Sequence, residues 1–213
     1  MTSLSCDKFL QISRKAFFNQ VADKWDEKFC TPELKDFLIK LVAKFNLRRG
    51  QRILDVGTGT GILIPYLARA VGSTGTIIAV DFAEKMVEIC NEKISNFSNV
   101  KVELQDVEEL NFAPKWFDAI TCFGLFPHIK NKEKALGEMN RVLKQGGKLI
   151  IAHALSSDQI RKHHRNYPIA ISNDILPEED KIRQMLNQAG FSNTYIKDEP
   201  GCFLCMTTRP SAK

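Results

Sequence analysis

Three glycines at alternate positions, Gly57, Gly59 and Gly61, follow directly on the apolar run Ile53-Leu54-Asp55-Val56. An apolar strand that passes through an acidic residue into such a turn, with a helical pattern behind it, reads as the first strand, loop and helix of a βα unit. Glycine at the turn frees the backbone to adopt positive φ and lets it approach a bound group closely. A second apolar strand, Thr76-Ile77-Ile78-Ala79-Val80, ends in Asp81, twenty residues beyond Gly61. A carboxylate there offers two acceptor oxygens to the paired hydroxyls of a ribose. Together the two signals point to a ligand that carries a nucleoside.

From Gln51 onward strands and helices alternate. Strands are expected over 52–57, 76–81, 100–105, 117–123 and 147–154, and helices over 60–70, 83–94 and 131–144. Such alternation gives an α/β fold with a parallel sheet covered on both faces. The helix over 131–144 turns Ala135, Leu136, Met139, Val142 and Leu143 inward, and Gly146-Gly147 then leads into Lys148-Leu149-Ile150-Ile151-Ala152.

Helices also precede this core. Phe18, Val21, Ala22, Trp25 and Phe29 recur at helical spacing, which predicts one amphipathic helix over roughly residues 7–29. A second follows, with Thr31 as cap, Pro32 at its first position and Leu34, Phe37, Leu38, Leu41, Val42 and Phe45 as its apolar stripe. Beyond the fifth strand the alternation breaks into an insertion, Ser156 to Leu176, whose short helix is started by a Ser156 and Gln159 capping box. Pro177-Glu178-Glu179-Asp180 opens a helix with Ile182, Met185, Leu186 and Ala189 inward, and strands follow near 193–198 and 202–208. The expected organisation is a single domain: helices over 1–47, a ligand-binding core over 48–155, an insertion over 156–176 and a C-terminal helix and strand pair over 177–213.

The bulk numbers bound the class. With 44% hydrophobic and 26% charged residues in 213, the chain has the composition of an ordinary globular protein. Its net charge of +5 is not gathered into a basic tract or interleaved with aromatics, so nucleic acid is not indicated as a partner. No apolar run of spanning length or leader-like start is seen, and six dispersed cysteines fit reduced thiols, so a cytoplasmic protein without a membrane role is expected. Cys202 and Cys205, three apart on one strand, would face opposite sides, so no metal site is expected there.

The glycine spacing separates two kinds of nucleoside ligand. Dinucleotide folds normally show GxGxxG, whereas this chain has GxGxG preceded by Asp55. Asp55-Val56-Gly57-Thr58-Gly59-Thr60-Gly61, with Asp81 after the second strand, resembles the cofactor motif of class I S-adenosylmethionine-dependent methyltransferases. Leu104-Gln105-Asp106-Val107, Phe117-Asp118-Ala119-Ile120-Thr121-Cys122-Phe123 and Val142-Leu143-Lys144-Gln145-Gly146-Gly147-Lys148-Leu149 resemble that family's third strand end, fourth strand and approach to the fifth. The resemblance implies a Rossmann-like, seven-stranded, mostly parallel sheet with the last strand antiparallel, helices on both faces and an N-terminal helical extension. It implies S-adenosylmethionine as cofactor, held along Gly57, Thr58, Gly59, Thr60 and Gly61, with Asp81 on the ribose, Asp106 and Val107 on the adenine, Phe82 and Met86 against the nucleoside and Cys122 near the methyl group. A nicotinamide-dependent oxidoreductase, or a module that binds the cofactor without turnover, are the competing readings.

Methyl transfer needs a nucleophile aligned with the sulfonium and water kept out, and a base of near-neutral pKa helps when the acceptor is a phenol, thiol or amine. Among His128, His153, His163 and His164, the first two follow the ends of the fourth and fifth strands, where open parallel sheets bind ligands, and are the candidate catalytic residues. Phe126, His164 and Tyr167 are candidate substrate contacts. Phe17-Phe18-Asn19-Gln20-Val21-Ala22-Asp23-Lys24-Trp25-Asp26 resembles the segment that precedes the core in ubiquinone and menaquinone methyltransferases and their small-molecule relatives. There it forms part of a lid, which makes Trp25 a further substrate-side candidate. One stretch departs from the quinone enzymes: Leu125-Phe126-Pro127 stands where they typically carry Leu-Arg-Asn. The expectation is therefore a methyltransferase of that broad group acting on a small acceptor.

Overall fold

A computed structural model describes residues 13–165 and 169–211 and places seven strands in one sheet. These are β1 (Arg52–Val56), β2 (Thr76–Asp81), β3 (Val100–Leu104), β4 (Phe117–Phe123), β5 (Leu143–His153), β6 (Ser192–Glu199) and β7 (Cys202–Thr208), in the spatial order β3-β2-β1-β4-β5-β7-β6. Strands β1 to β5 pair in parallel, and β7 runs antiparallel to both β5 and β6. The fold is thus the Rossmann-like arrangement expected. Among the described residues no helix is long and apolar enough to cross a membrane.

Helices cover both faces because the central strands are apolar on both. Leu54 and Val56 point to one side, into a core shared with Leu136, Met139 and Leu186, while Ile53 points to the other, with Leu38, Leu41 and Leu67. The first core is closed by α6 (Lys132–Val142) and α9 (Glu179–Gln188), the second by α3 (Pro32–Lys44) and α4 (Ile64–Val71). The inward stripe of α6, Ala135, Leu136, Met139 and Val142, is fully buried, with each large side chain contributing about 1.5–3 kcal/mol. Cys202 and Cys205 on β7 go to opposite cores, as the strand period requires.

Two expected helices differ in their bounds. The N-terminal one is broken into α1 (Arg14–Val21), a single 3-10 turn over Ala22–Lys24, and α2 (Trp25–Phe29). Each half is tied to a different neighbour. Asn19 on α1 accepts a hydrogen bond from the Lys85 N–H and so caps α5 (Glu84–Lys93), whose own cap residue Ala83 has no side chain to do it. Asp26 on α2 instead pairs with Lys93 and accepts from the Thr60 hydroxyl. Residues 7–12 of that prediction lie outside the described part of the chain. The helix expected over 60–70 begins only at Ile64, because Gly59 (φ 55°) and Gly61 (φ 86°) are left-handed and Pro65 sets the first turn.

The chain runs outward from β1 to β3 and then crosses back to β4, so the sheet's order reverses beside β1. A crevice opens at that point beyond the carboxyl ends of the strands. Around it stand α7 (Ser157–His164), which has the expected Ser156 and Gln159 capping box, and α8 (Ile169–Ser172) from the insertion, together with α1 and α2.

Candidate active site

The glycine loop is held by its backbone. Gly57 and Thr58 N–H donate to the Val80 carbonyl at 2.8 and 3.0 Å, and Gly59 N–H donates to Asp81 Oδ2 at 2.9 Å. Asp81 Oδ1 accepts from Ala83 N–H at 2.9 Å, so the carboxylate joins the loop to the start of α5. Burial pushes the Asp81 carboxyl above the ordinary range, and these backbone donors partly offset it. A Cβ at Gly57 would stand 2.6 Å from Leu125 Cδ2, and one at Gly59 would have only the Trp25 indole nitrogen nearby, at 4.0 Å. Glycine at 57 is required by φ (66°) and by this contact.

Beneath the loop, Asp55 is 2% exposed. Its Oδ1 accepts from the Thr121 hydroxyl at 2.6 Å; Oδ2 makes no well-formed hydrogen bond to the protein, and neither does the buried Thr58 hydroxyl, which lies close enough to offset part of the carboxyl's burial. Burial pushes the Asp55 carboxyl up to about 6, with Asp81 adding to the rise. Buried polar atoms without partners are costly, and these two line a cavity. An occupant that brings a cationic donor would satisfy them; the ammonium and sulfonium of S-adenosylmethionine are of that kind.

Two adjoining cavities share Gly57, Asp81, Phe82, Leu125 and His128 as walls. The one of about 390 Å³ also meets Gln105, Asp106, Val107 and Arg14. Asp106 is exposed and accepts from Glu108 N–H at 2.9 Å, and Val107 is buried as part of the core. The one of about 440 Å³ is walled by Phe17, Phe18, Trp25, Phe29, Phe123, Met86 and Ile171, with His128, His153, His163 and His164 among them. Phe18 packs edge-on to Trp25, Phe82 and His128 at centroid distances of 5.9, 6.0 and 5.3 Å.

The histidines are not equivalent. His128 Nδ1 lies 2.8 Å from Asp174 Oδ2, which fixes the proton on Nδ1 and leaves Nε2 as an acceptor. Asp174 is 2% exposed and also grips Arg14 of α1 through both carboxylate oxygens. Burial lowers the His128 pKa and Asp174 opposes it, so the ring is neutral near pH 7. His153 Nδ1 instead accepts from Leu155 N–H at 3.2 Å, and burial and neighbouring histidines press its pKa down to about 3. His153 therefore presents an N–H and is no base at neutral pH. His164 is buried, donates through Nδ1 to the Asp174 carbonyl and lies 4.8 Å from the His128 ring.

Several expected contacts fall elsewhere. Cys122 and Phe126 are about 1% exposed and belong to the core under the site, not to either cavity wall, because β4 alternation and the 3-10 turn at Phe126–His128 point them inward. Burial also drives the Cys122 thiol far above its ordinary pKa, so it stays protonated. Thr60 turns away to Asp26, and Gly61 packs on Cys90 Sγ. Tyr167 lies outside the described residues. Sequence reasoning passed over Asp174, Arg14 and Leu125 as site residues. A carboxylate set between Ile171 and Leu176 was the one available sign of the first.

Comparisons with known proteins agree with this fold. A family profile described as "Methyltransferase domain" matches residues 47–190. The ubiquinone/menaquinone biosynthesis C-methyltransferase of Erwinia tasmaniensis is 32% identical over 83% of this chain and 82% of its own. The demethylmenaquinone methyltransferase of Staphylococcus saprophyticus is 28% identical over 86% and 90%. A solved S-adenosylmethionine-dependent methyltransferase from Aquifex aeolicus superposes with a TM-score of 0.74 at 25% identity, covering 90% of this chain and 98% of its own. The chain belongs to the class I S-adenosylmethionine-dependent methyltransferases, in the ubiquinone/menaquinone group, and is an enzyme that methylates a small molecule.

Proposed function

We propose that the acceptor is a neutral aromatic molecule with an acidic proton, such as a phenol or hydroquinone, and that His128 takes up that proton. The observation that carries this reading is the pairing of an aromatic chamber with one neutral, carboxylate-oriented imidazole in its wall. Such walls favour a flat apolar ring by burial and edge contacts. The two carboxylates among the chamber's described lining residues, Asp55 and Asp81, belong to the glycine-loop side. The named relatives act in ubiquinone and menaquinone biosynthesis, which is consistent with a ring of this kind.

When bound, S-adenosylmethionine supplies an electrophilic methyl group on a sulfonium. Asp81 would hold its ribose, Asp55 and Thr58 its amino-acid end, Asp106 and Val107 its adenine, and Phe82 and Met86 would pack on the nucleoside. His128 Nε2 accepts the acceptor's proton, and Asp174 stabilises the imidazolium that results. His153 donates its Nε2–H to an acceptor oxygen. Trp25, Phe18 and His164 would contact the acceptor, and α1 and α2 keep water out.

The test is transfer of a labelled methyl group from S-adenosylmethionine to a panel of phenols, hydroquinones, amines and thiols of matched size. Preferential labelling of the hydroxylated rings, with His128→Gln abolishing it, is the expected result. Equal or better labelling of aliphatic amines would overturn the reading.

A further inference from the structure

Arg14 sits in the first turn of α1, 160 residues from Asp174, yet its Nε lies 3.1 and 3.0 Å from the two Asp174 oxygens and its Nη2 is paired with Oδ1. The oxygen that meets His128 Nδ1, Oδ2, is therefore shared between the imidazole and the guanidinium. We propose that Arg14 is a positioning residue that holds His128 in its basic form through Asp174, so that docking of the N-terminal helices makes the proton acceptor ready. This rests on the reading of His128 as the base.

The physical argument turns on a shared charge. An isolated buried carboxylate would strongly favour a protonated His128, and an imidazolium cannot accept a proton. A guanidinium on the same carboxylate neutralises much of that attraction while leaving the hydrogen bond that orients the ring. The Asp174 side chain is 1% exposed and that of Arg14 34%, so water does little to screen the pair at the His128 end. The groups that face His128 are Asp174 after α8, Arg14 from α1, His164 from α7 and, at longer range, His153 from β5. Lys132 of α6 feels the same Asp174 and Arg14 charges, and Glu108 faces Arg14. Of the described cations that interact with Asp174, Lys132 is fixed inside the fold, donating to the Pro127 and Ile129 carbonyls at 3.1 and 2.8 Å, whereas Arg14 comes from the cover. Ser13, Arg14 and Lys15 also wall the smaller cavity beside Asp81 and Asp106, so the residue that tunes the base borders the expected nucleoside position.

The experiment is a histidine-labelled NMR titration of the full chain, in which the His128 signal is assigned by its loss in His128→Gln. The His128 pKa is expected to rise by about one pH unit in Arg14→Gln, and by less in the milder Arg14→Lys, which keeps a cation and carries the test if Arg14→Gln does not fold. The acid limb of kcat against pH should move upward by the same amount. An unchanged His128 pKa in a variant that still unfolds cooperatively and still binds S-adenosylhomocysteine would overturn the proposal. Full turnover by His128→Gln would instead overturn the base reading, while the titration still decides whether Arg14 acts on the ring.

Discussion

The site has two halves built on different principles. The glycine-loop half comes from β1, β2 and the turns after them: Asp55, Gly57, Thr58, Gly59 and Asp81 lie within one βαβ unit and are joined mainly by backbone hydrogen bonds. The acceptor half brings together Arg14, Phe18, Trp25, His128, His153, His164 and Asp174 from six separate elements or loops, joined by side chains. The first half is a property of local chain geometry. The second exists only when α1, α2 and the insertion dock. Perturbing the first should therefore change cofactor affinity, and perturbing the second should change turnover with cofactor affinity intact.

The largest expected effect breaks the acceptor half alone. His128→Gln removes the proton acceptor and should lower kcat by roughly 10²- to 10⁴-fold. The dissociation constant for S-adenosylhomocysteine should stay within about twofold, since no principal cofactor contact is lost. In the unaltered enzyme, activity should fall toward acid with a midpoint below the ordinary histidine value of 6.5, because burial lowers the His128 pKa and only the neutral ring accepts a proton. Equal losses in affinity and turnover would mean that the two halves are one unit. Asp81→Ala is the converse. Removing a charged partner for two hydroxyls, at about 1.5–3 kcal/mol each, should weaken cofactor binding by roughly a hundredfold or more in a calorimetric titration. Acceptor saturation kinetics at saturating cofactor should change little.

The same division decides what could be read from the sequence. The alternating strands, the glycine turn, Asp55 and Asp81 were legible because βαβ units are continuous and their apolar periods are strong. The helix break at Ala22–Lys24 was not, since Phe18, Ala22, Trp25 and Phe29 keep helical spacing straight through it, and it is contacts to different neighbours, Lys85 for one half and Lys93 and Thr60 for the other, that pull the halves apart. Nor was the pairing of His128 with Asp174, 46 residues away, or of Asp174 with Arg14, because no local pattern encodes which distant loop closes over a crevice. Phe126 misled for a related reason. Its apolar side chain was legible, but the 3-10 turn that sends it into the core and His128 toward the cavity was not.

Asp55 offers a sharper test of the glycine-loop half, because it sets stability against binding. Its carboxyl titrates near 6 in the folded protein, against about 3.9 for an unperturbed aspartate. The folded state therefore holds a proton that the unfolded chain has already released between those values. That contribution is complete at and below about pH 4 and is lost as pH rises through 6. Above pH 6 the buried charge costs about 3 kcal/mol. Asp55→Asn keeps an oxygen for the Thr121 hydroxyl and offers an N–H to Thr58, while still burying an amide. It should thus stabilise the ligand-free protein by about 1–2 kcal/mol at pH 7.5 and by close to nothing at pH 4, and it should weaken cofactor binding. A variant less stable at both pH values would show that Asp55 is a structural anchor and not a site held ready for a cation.

The smallest effect probes the seam between the halves, where Leu125 of the acceptor side rests on Gly57 of the loop. Gly57→Ala meets two separate obstacles. Its φ of 66° is left-handed, which costs an L residue about 1–2 kcal/mol, and its new methyl would stand 2.6 Å from Leu125 Cδ2. Leu125→Ala removes the two Cδ contacts, at 2.6 and 2.8 Å, but keeps the Leu125 Cβ, which the new methyl would meet at 2.8 Å, so it relieves the second obstacle in part and leaves the first. Thermal unfolding of the two single variants and the double one should give a coupling of about 1 kcal/mol, with Gly57→Ala costing less when Leu125 is already truncated. Strict additivity would mean that the loop yields by itself and that the halves meet without bearing on each other. If the coupling appears, it should also appear in binding. Leu125→Ala alone, which trims a wall common to both cavities, would then alter S-adenosylhomocysteine affinity and acceptor KM together, unlike any substitution confined to one half.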